Sequence, residues 1–350
     1  MIEAIGVKFP IIQAPMAGVS TPALAAAVSN AGALGSLGIG ASSTNQARLA
    51  ILETQAQTQN PFNVNVFCHT PPERDKERED RWLAHLAPLF SEFGGNTPTE
   101  LNEIYTSFNA DEEAFGMLLD LRPAIVSFHF GIPSPDKISA FRDAGITMLA
   151  TATNLAEAWQ LEAAGIDGIV AQGIEAGGHR GMFDPDVTDE CLSTLALVRL
   201  LVAETSTPVI AAGGIMNGAD IRAVLDLGAV AAQLGTAFLL CPESSTNKGY
   251  RDMLKSDRAN TTCLTAAISG RPARGIVNRF IAHGEKAGSP QPAPYPIAYD
   301  AAKQLNMLAS AVGSVEAAAH WAGKGAPRAR ELPAAHLIET LVKELHSAQN

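Results

Sequence analysis

Short apolar, β-branched runs alternate along this chain with longer stretches in which apolar residues recur at helical spacing. That alternation predicts successive βα units on a parallel sheet. The strand candidates are Pro10–Met16, Ala33–Gly38, Phe62–Cys68, Ala124–Gly131, Thr147–Thr153, Gly168–Gly173, Pro208–Gly214 and Val230–Thr236. Between them lie "TPALAAAVSNAG", "DKISAFRDAG", "NLAEAWQLEAAG" and "NGADIRAVLDLG", each opening on a capping residue or proline and closing on glycine, which predicts helices. The stops fall at Gly32, Gly145, Gly165 and Gly228, just before the next strand. About eight units over roughly 240 residues fit a closed (β/α)8 TIM barrel. An open doubly wound sheet would carry G-x-G-x-x-G after its first strand, and no such pattern follows Met16.

Two segments leave this rhythm. The stretch from Thr70 to about Ala110 begins "TPPERDKEREDRWLAHLAPLF" and reads as a partly helical insert after the third strand, its charges forming a solvated helix face. From about Cys241 onward the chain reads as mostly helical, with a proline-rich "AGSPQPAPYPIAYDAAKQLNML". The expected division is therefore a barrel from 1–69 and 111–240, with 70–110 and 241–350 forming a smaller helical cap over the C-terminal strand ends, where sites in this fold are found.

Composition narrows the partners. The 350 residues, 47% of them hydrophobic, can bury a substantial core. With 25 Lys+Arg against 36 Asp+Glu the net charge is -11, and no basic run tracks a phosphate backbone, so nucleic acid is not an expected partner. Cys68, Cys191, Cys241 and Cys263 are scattered without a C-x-x-C pair, and no secretory leader precedes "MIEAIGVKFPIIQAPM", so a cytoplasmic protein with reduced thiols and no metal site is expected. Apolar runs break well short of the roughly 18 to 20 residues of a membrane span, so no membrane is expected either.

The strand ends carry the candidate chemistry. The seventh ends in Ala212-Gly213-Gly214 and the eighth in Gln233-Leu234-Gly235-Thr236, where missing side chains let backbone N–H groups approach a ligand; loops after these two strands commonly hold phosphate in such barrels. The residues Gln13 through Met16, Asn65, His129 and Gln172 sit at other strand ends. Amides both donate and accept, which suits a flat heteroaromatic ligand such as a flavin, although each alone would serve equally as a strand-end cap. After the sixth strand, "GIEAGGHRG" sets His179 among four glycines, where a ring could lie close to a ligand. Tyr295, Tyr299 and Lys303 are spaced by four and would share a helix face, with Pro296 making Tyr295 a helix-entry residue; an ordinary amphipathic helix would look the same.

Taken together, "IIQAPMAGVS", "NVNVF", "VSFHFGIP", "GIDGIVAQGIEAGGHRG", "TPVIAAGGIMNGADIRAVLDLGA", "AAQLGTAFLL" and "PYPIAYDAAKQ" resemble the FMN-dependent nitronate monooxygenases, formerly 2-nitropropane dioxygenases. The resemblance implies FMN contacts from Asn65, Gln172, Gly177, Gly214, Gln233, Leu234, Gly235 and Thr236, with Met16 near the ring and the Gly214 and Gly235-Thr236 backbones on the phosphate. It also implies that His179 is the catalytic base and that Tyr295, Tyr299 and Lys303 line the pocket of an anionic substrate. The strand-end position of His129 points to the substrate side, although a core histidine would look the same, and Tyr105 of the insert could reach that pocket. The implied reaction oxidises an alkyl nitronate, such as propionate 3-nitronate, with O2 to a carbonyl compound and nitrite. An imidazole titrating near 6.5 would first deprotonate a neutral nitroalkane (ordinary value roughly 6.5). The related FMN-dependent enoyl-ACP or quinone reductases using NAD(P)H share the Gly-Gly-His loop and are the first alternative. A lyase or isomerase using the same phosphate site without a redox cofactor is the second. The sequence does not set the oligomeric state.

Overall fold

The computed structural model describes residues 5–348; the outer ends of the expected segments, 1–4 and 349–350, lie outside the described residues. Eleven strands run in chain order: β1 Ile11–Gln13, β2 Gly35–Gly38, β3 Phe62–Phe67, β4 Ile125–His129, β5 Thr147–Ala152, β6 Gly168–Gln172, β7 Gly178–His179, β8 Val209–Ala212, β9 Ala231–Leu234, β10 Thr262–Thr265 and β11 Ala273–Ile276. Eight of them form one parallel sheet in the order β1-β9-β8-β6-β5-β4-β3-β2. The parallel bridge Ile12↔Leu34 closes the sheet, with Gln13 N donating to Leu34 O and Leu34 N to Ile11 O, each at 2.9 Å. The result is the expected TIM barrel. Each of the eight predicted runs contains one barrel strand, trimmed mainly at the C-terminal end.

Side-chain alternation explains why these strands both hold the barrel and supply its site. In β3, Val64 and Val66 join the outer core with Val126 and Phe128 of β4 and Ile169 and Ala171 of β6. Their inward neighbours include Ile125, Leu149 and Val170, which join a separate cluster filling the barrel floor. Further along the same inward rows stand Asn65, Ser127, Thr151 and Gln172, which are polar, at the strand ends. The barrel is thus apolar below and polar at its mouth.

The predicted helices appear as Pro22–Asn30, Pro135–Asp143, Leu155–Ala164 and Gly218–Asp226. Thr21, Ser134, Asn154 and Asn217 cap their N-termini by accepting from the backbone of the first turn. The helix Lys76–Glu92 of the insert packs with Arg279–Gly284 and Ile297–Ala311 around Trp82, Leu86, Phe280 and Leu305, all at most 1% exposed. Truncating Leu86 or Leu305 to alanine costs about 2–5 kcal/mol.

The region after Cys241 departs from the helical expectation in two ways. A second sheet, ordered β10-β11-β7, is antiparallel and pairs β11 with the short β7, Ala273 opposite His179 and Arg274 opposite Gly178. The helix Ala334–Ser347 does not join the cap. It seats Leu337, Ile338, Leu341 and Leu345 in the outer barrel core and lies against Gly218–Asp226 and Pro22–Asn30, completing the ring of helices after β9. Its apolar stripe matches the groove between those two helices, so the chain returns to the barrel after building the cap.

Candidate active site

A cavity of about 500 Å³ opens at the C-terminal ends of the barrel strands, under the cap. The structure brings every singled-out site residue to it: Met16 from beyond β1, Asn65, His129 and Gln172 from β3, β4 and β6, and Gly177 and His179 from the glycine loop. Gly214 follows β8, Gln233 and Leu234 end β9, and Gly235 and Thr236 follow it. Tyr105, Tyr295, Tyr299 and Lys303 descend from the cap. Gln13 is the exception among the strand ends considered. It is fully buried and staples β1 to β2, its Oε1 accepting from Ser36 N at 2.8 Å.

The polar mouth is pre-oriented by its own hydrogen bonds. Asn65 donates from Nδ2 to Ser127 Oγ at 2.9 Å and Ser127 O at 3.1 Å, which leaves its Oδ1 as the free acceptor at the cavity. Gln172 accepts from Gly181 N at 2.8 Å and donates from Nε2 to the His179 carbonyl at 2.9 Å. His129 places Nε2 3.2 Å from that same carbonyl and Nδ1 3.0 Å from Thr151 Oγ1. Because a carbonyl only accepts, Nε2 carries the proton and the Thr151 hydroxyl donates to Nδ1. Both nitrogens of His129 are engaged by protein groups, so it braces the His179 backbone.

Glycine makes this loop possible. A Cβ on Gly181 would lie 2.4 Å from Thr151 Cγ2 and 2.9 Å from His129 Cε1, so only glycine lets the loop cross the barrel mouth at that height. The His179 ring is then surrounded by aromatic rings, with centroids 5.3 Å away for Trp321, 5.5 Å for Tyr295 and 5.7 Å for Phe130. Burial, reinforced by the neighbouring His129 and Arg271, pushes the His179 imidazole down from 6.5 to about 3, and burial does the same to His129, to about 4. Both rings are neutral at pH 7, so His179 has an unprotonated nitrogen, but burial makes it a weaker base than the imidazole near 6.5 expected from the sequence.

Opposite the polar mouth lies a cradle of backbone. A Cβ on Gly177 would meet Gly323 N at 2.4 Å, and one on Gly323 would meet Glu175 O at 2.6 Å, so two chain segments touch only because neither carries a side chain. Thr236 Oγ1 accepts from Gly323 N at 3.0 Å, and Gly214 adopts φ +72°. Among the described residues no group of three or more His, Cys, Asp or Glu could hold a metal ion.

Tyr295 precedes the helix Ile297–Ala311, and Tyr299 and Lys303 stand one turn apart within it. The Lys303 Nζ lies 4.7 Å from the Tyr105 ring centroid and 5.7 Å from that of Tyr299, and it makes no ion pair among the described residues. Partial burial lowers its pKa, opposed by Asp300. The Tyr295 hydroxyl is buried without a hydrogen-bond partner.

A family model described as nitronate monooxygenase matches residues 1–344. The chain belongs to the nitronate monooxygenase family. It is 58% identical to the nitronate monooxygenase of Paraburkholderia phytofirmans over 345 residues, 99% of this chain and 94% of that one. It is 56% identical to that of Pseudomonas aeruginosa over 341 residues, 97% of each. Among solved structures, a nitroalkane oxidase from Streptomyces ansochromogenes superposes with a TM-score of 0.90 at 38% identity, covering 100% of this chain and 99% of that one. As a member of the nitronate monooxygenase family the chain is an oxidoreductase. No helix among the described residues is long and apolar enough to cross a membrane.

This nitronate monooxygenase fold uses residues that sequence reading passed over. Trp321 and Gly323 line the cavity and belong to "HWAGKGAP", some 90 residues beyond β9, and Ser269 touches His179 from the turn between β10 and β11. A tryptophan next to a Gly-x-Gly was the visible signal for the first two. A single serine in "AAISGRPARG" carried none.

Proposed function

We propose that this chain binds FMN and oxidises alkyl nitronates, carboxylate-bearing ones such as propionate 3-nitronate among them, with O2 to a carbonyl compound and nitrite. The observation that carries the reading is the neutral imidazole of His179 lining one cavity together with a side-chain-free cradle and with Lys303, which makes no ion pair among the described residues.

The residues present fit the cofactor. Gly177 and Gly323 offer backbone where a Cβ would collide and Gly214 where it would crowd Glu175, and Gly235 and Thr236 continue that bare stretch at the end of β9, as an anionic phosphate requires. Asn65 Oδ1 and the amide of Gln172 suit the edge of a flavin ring, with Met16 against it. When bound, the flavin supplies the acceptor for electrons leaving the nitronate and the centre at which O2 is consumed.

The chain's own residues do the rest. Lys303 attracts the anion and, near the rings of Tyr105 and Tyr299, holds it at the cap side of the cavity. Tyr295, Phe130 and Trp321 exclude water from the His179 ring. With a neutral nitroalkane, His179 takes the proton from the carbon bearing the nitro group; with a preformed nitronate it has no proton to remove. The test is O2 uptake and nitrite release by the FMN-loaded protein. Both are expected with nitronate, and His179→Ala is expected to lose neutral nitroalkane turnover while keeping nitronate turnover. Full activity of His179→Ala on neutral nitroalkanes would remove the proposed role.

A further inference from the structure

We propose that Ser269 is a positioning residue that fixes His179 as its Nε2–H tautomer, leaving Nδ1 as the nitrogen that receives the substrate proton. This rests on the function proposed above only for the use made of that proton; the tautomer assignment stands on geometry.

Ser269 is 0% exposed and sits in the turn joining β10 to β11. Its Oγ lies 2.9 Å from His179 Nε2, 3.1 Å from the Arg271 carbonyl and 3.4 Å from Arg271 N. A hydroxyl has one proton to give. The buried Arg271 carbonyl has no other donor among the described residues, and leaving it unpaired would cost about 1–3 kcal/mol. The serine proton therefore goes to the carbonyl, and Oγ faces His179 as an acceptor. The hydrogen between them belongs to His179 Nε2.

The turn is held so that this geometry persists. Gly270 has φ +87°, and a Cβ there would lie 2.3 Å from Ala293 O and 2.7 Å from Tyr295 N. Arg271 carries its guanidinium 4.3 Å from the Phe130 ring centroid and donates to the Phe183 carbonyl at 3.1 Å, which ties the turn to the barrel mouth. The other face of the His179 residue is fixed through its carbonyl by Gln172 and His129. Among the described residues the ring's one hydrogen bond is that of Nε2 to Ser269, so Nδ1 is left without a protein partner on a ring that lines the cavity.

The proton step then balances simply. The C–H bond of the nitroalkane breaks, its proton bonds to Nδ1, and its electron pair stays on the substrate as the nitronate. The imidazolium keeps its Nε2–H on Ser269, whose own hydrogen bond to the Arg271 carbonyl directs the carbonyl's negative end toward the new charge. Arg271 is the charged neighbour acting on His179 and opposes that charge, so the serine relay offsets it, while the titratable His129, Tyr295 and Tyr299 are held neutral by burial.

The test reads the tautomer directly. In protein labelled with 15N-histidine, two-bond 1H–15N correlations of the His179 ring, assigned by their loss in His179→Gln, distinguish a protonated Nε2 from a protonated Nδ1. Wild type is expected to show Nε2–H alone, Ser269→Ala a mixture, and Ser269→Thr, which keeps the hydroxyl, the wild-type pattern. In kinetics, Ser269→Ala is expected to lower kcat/KM for a neutral nitroalkane about tenfold with nitronate turnover within about twofold. An Nδ1–H ring in wild type, or equal losses on both substrates, overturns the proposal. If wild type shows Nε2–H yet turns over neither substrate, the tautomer stands and the function falls.

Discussion

His129 donates its Nε2–H to the backbone carbonyl of His179 across 3.2 Å, while its Nδ1 accepts from Thr151. One histidine thus fixes the backbone of the other and has no free nitrogen for substrate. Replacing His129 with leucine is expected to leave FMN bound and to lower kcat/KM on neutral nitroalkane about tenfold, less than the loss in His179→Ala. Steady-state kinetics on the flavin-loaded variants check the order.

The cradle gives a paired steric prediction. Gly177→Ala would put a methyl 2.4 Å from Gly323 N, and the resulting backbone shift is expected to cost about 1–3 kcal/mol and to expel FMN. Gly178→Ala, one residue on, has open space around its Cβ but φ +74°, so it is expected to cost about 1–2 kcal/mol and to keep the cofactor. Flavin absorbance after gel filtration, together with denaturant midpoints, separates the two.

Lys303 is a cap cation at the cavity that makes no ion pair among the described residues. Lys303→Met is expected to raise KM for a carboxylate-bearing nitronate about tenfold, about 1.4 kcal/mol, and to change KM for a small alkyl nitronate far less. Comparing the two substrates on one preparation isolates charge recognition from packing.

Four histidines are held neutral, chiefly by burial: His69, His129 and His320 at about 4 and His179 at about 3. Their folded values lie below the unfolded value of 6.5, so between about pH 4 and 6.5 the unfolded chain binds more protons and stability rises with pH. The contribution is complete above pH 6.5 and each ring withdraws about 1.4 kcal/mol per pH unit below it. Unfolding free energy is therefore expected to be lower at pH 5 than at pH 7. His320→Phe, which keeps a ring against Tyr250, is expected to shrink that difference.

The barrel was legible because β3 through β6 carry apolar, mostly β-branched runs and several helices open on a cap and close on a glycine, as Asn154 and Gly165 do around Leu155–Ala164; β2 and β9, with no β-branched residue, were legible only from their place in that rhythm. The mouth was legible for the same reason: alternation in β3 aims Asn65 inward, and the C-terminal end of a barrel strand is where ligands bind. What was hidden depends on long-range return of the chain. The pattern of Ala334–Ser347 describes an amphipathic helix without saying which surface receives it, and it closes the barrel. The two residues of β7 have no strand pattern of their own; they pair because β11 arrives from about 95 residues away in sequence. Ser269 is legible only from the structure, since its role lies in one 2.9 Å contact.

A flavin bound in this cavity is expected to be reduced by nitronates. Anaerobic mixing of the FMN-loaded protein with an alkyl nitronate, and separately with NADH or NADPH, tests it while the flavin absorbance is followed. A rapid one-electron change with the nitronate is expected, and no bleaching by either pyridine nucleotide. Bleaching by a pyridine nucleotide without any response to nitronate would contradict it and make the enzyme a reductase.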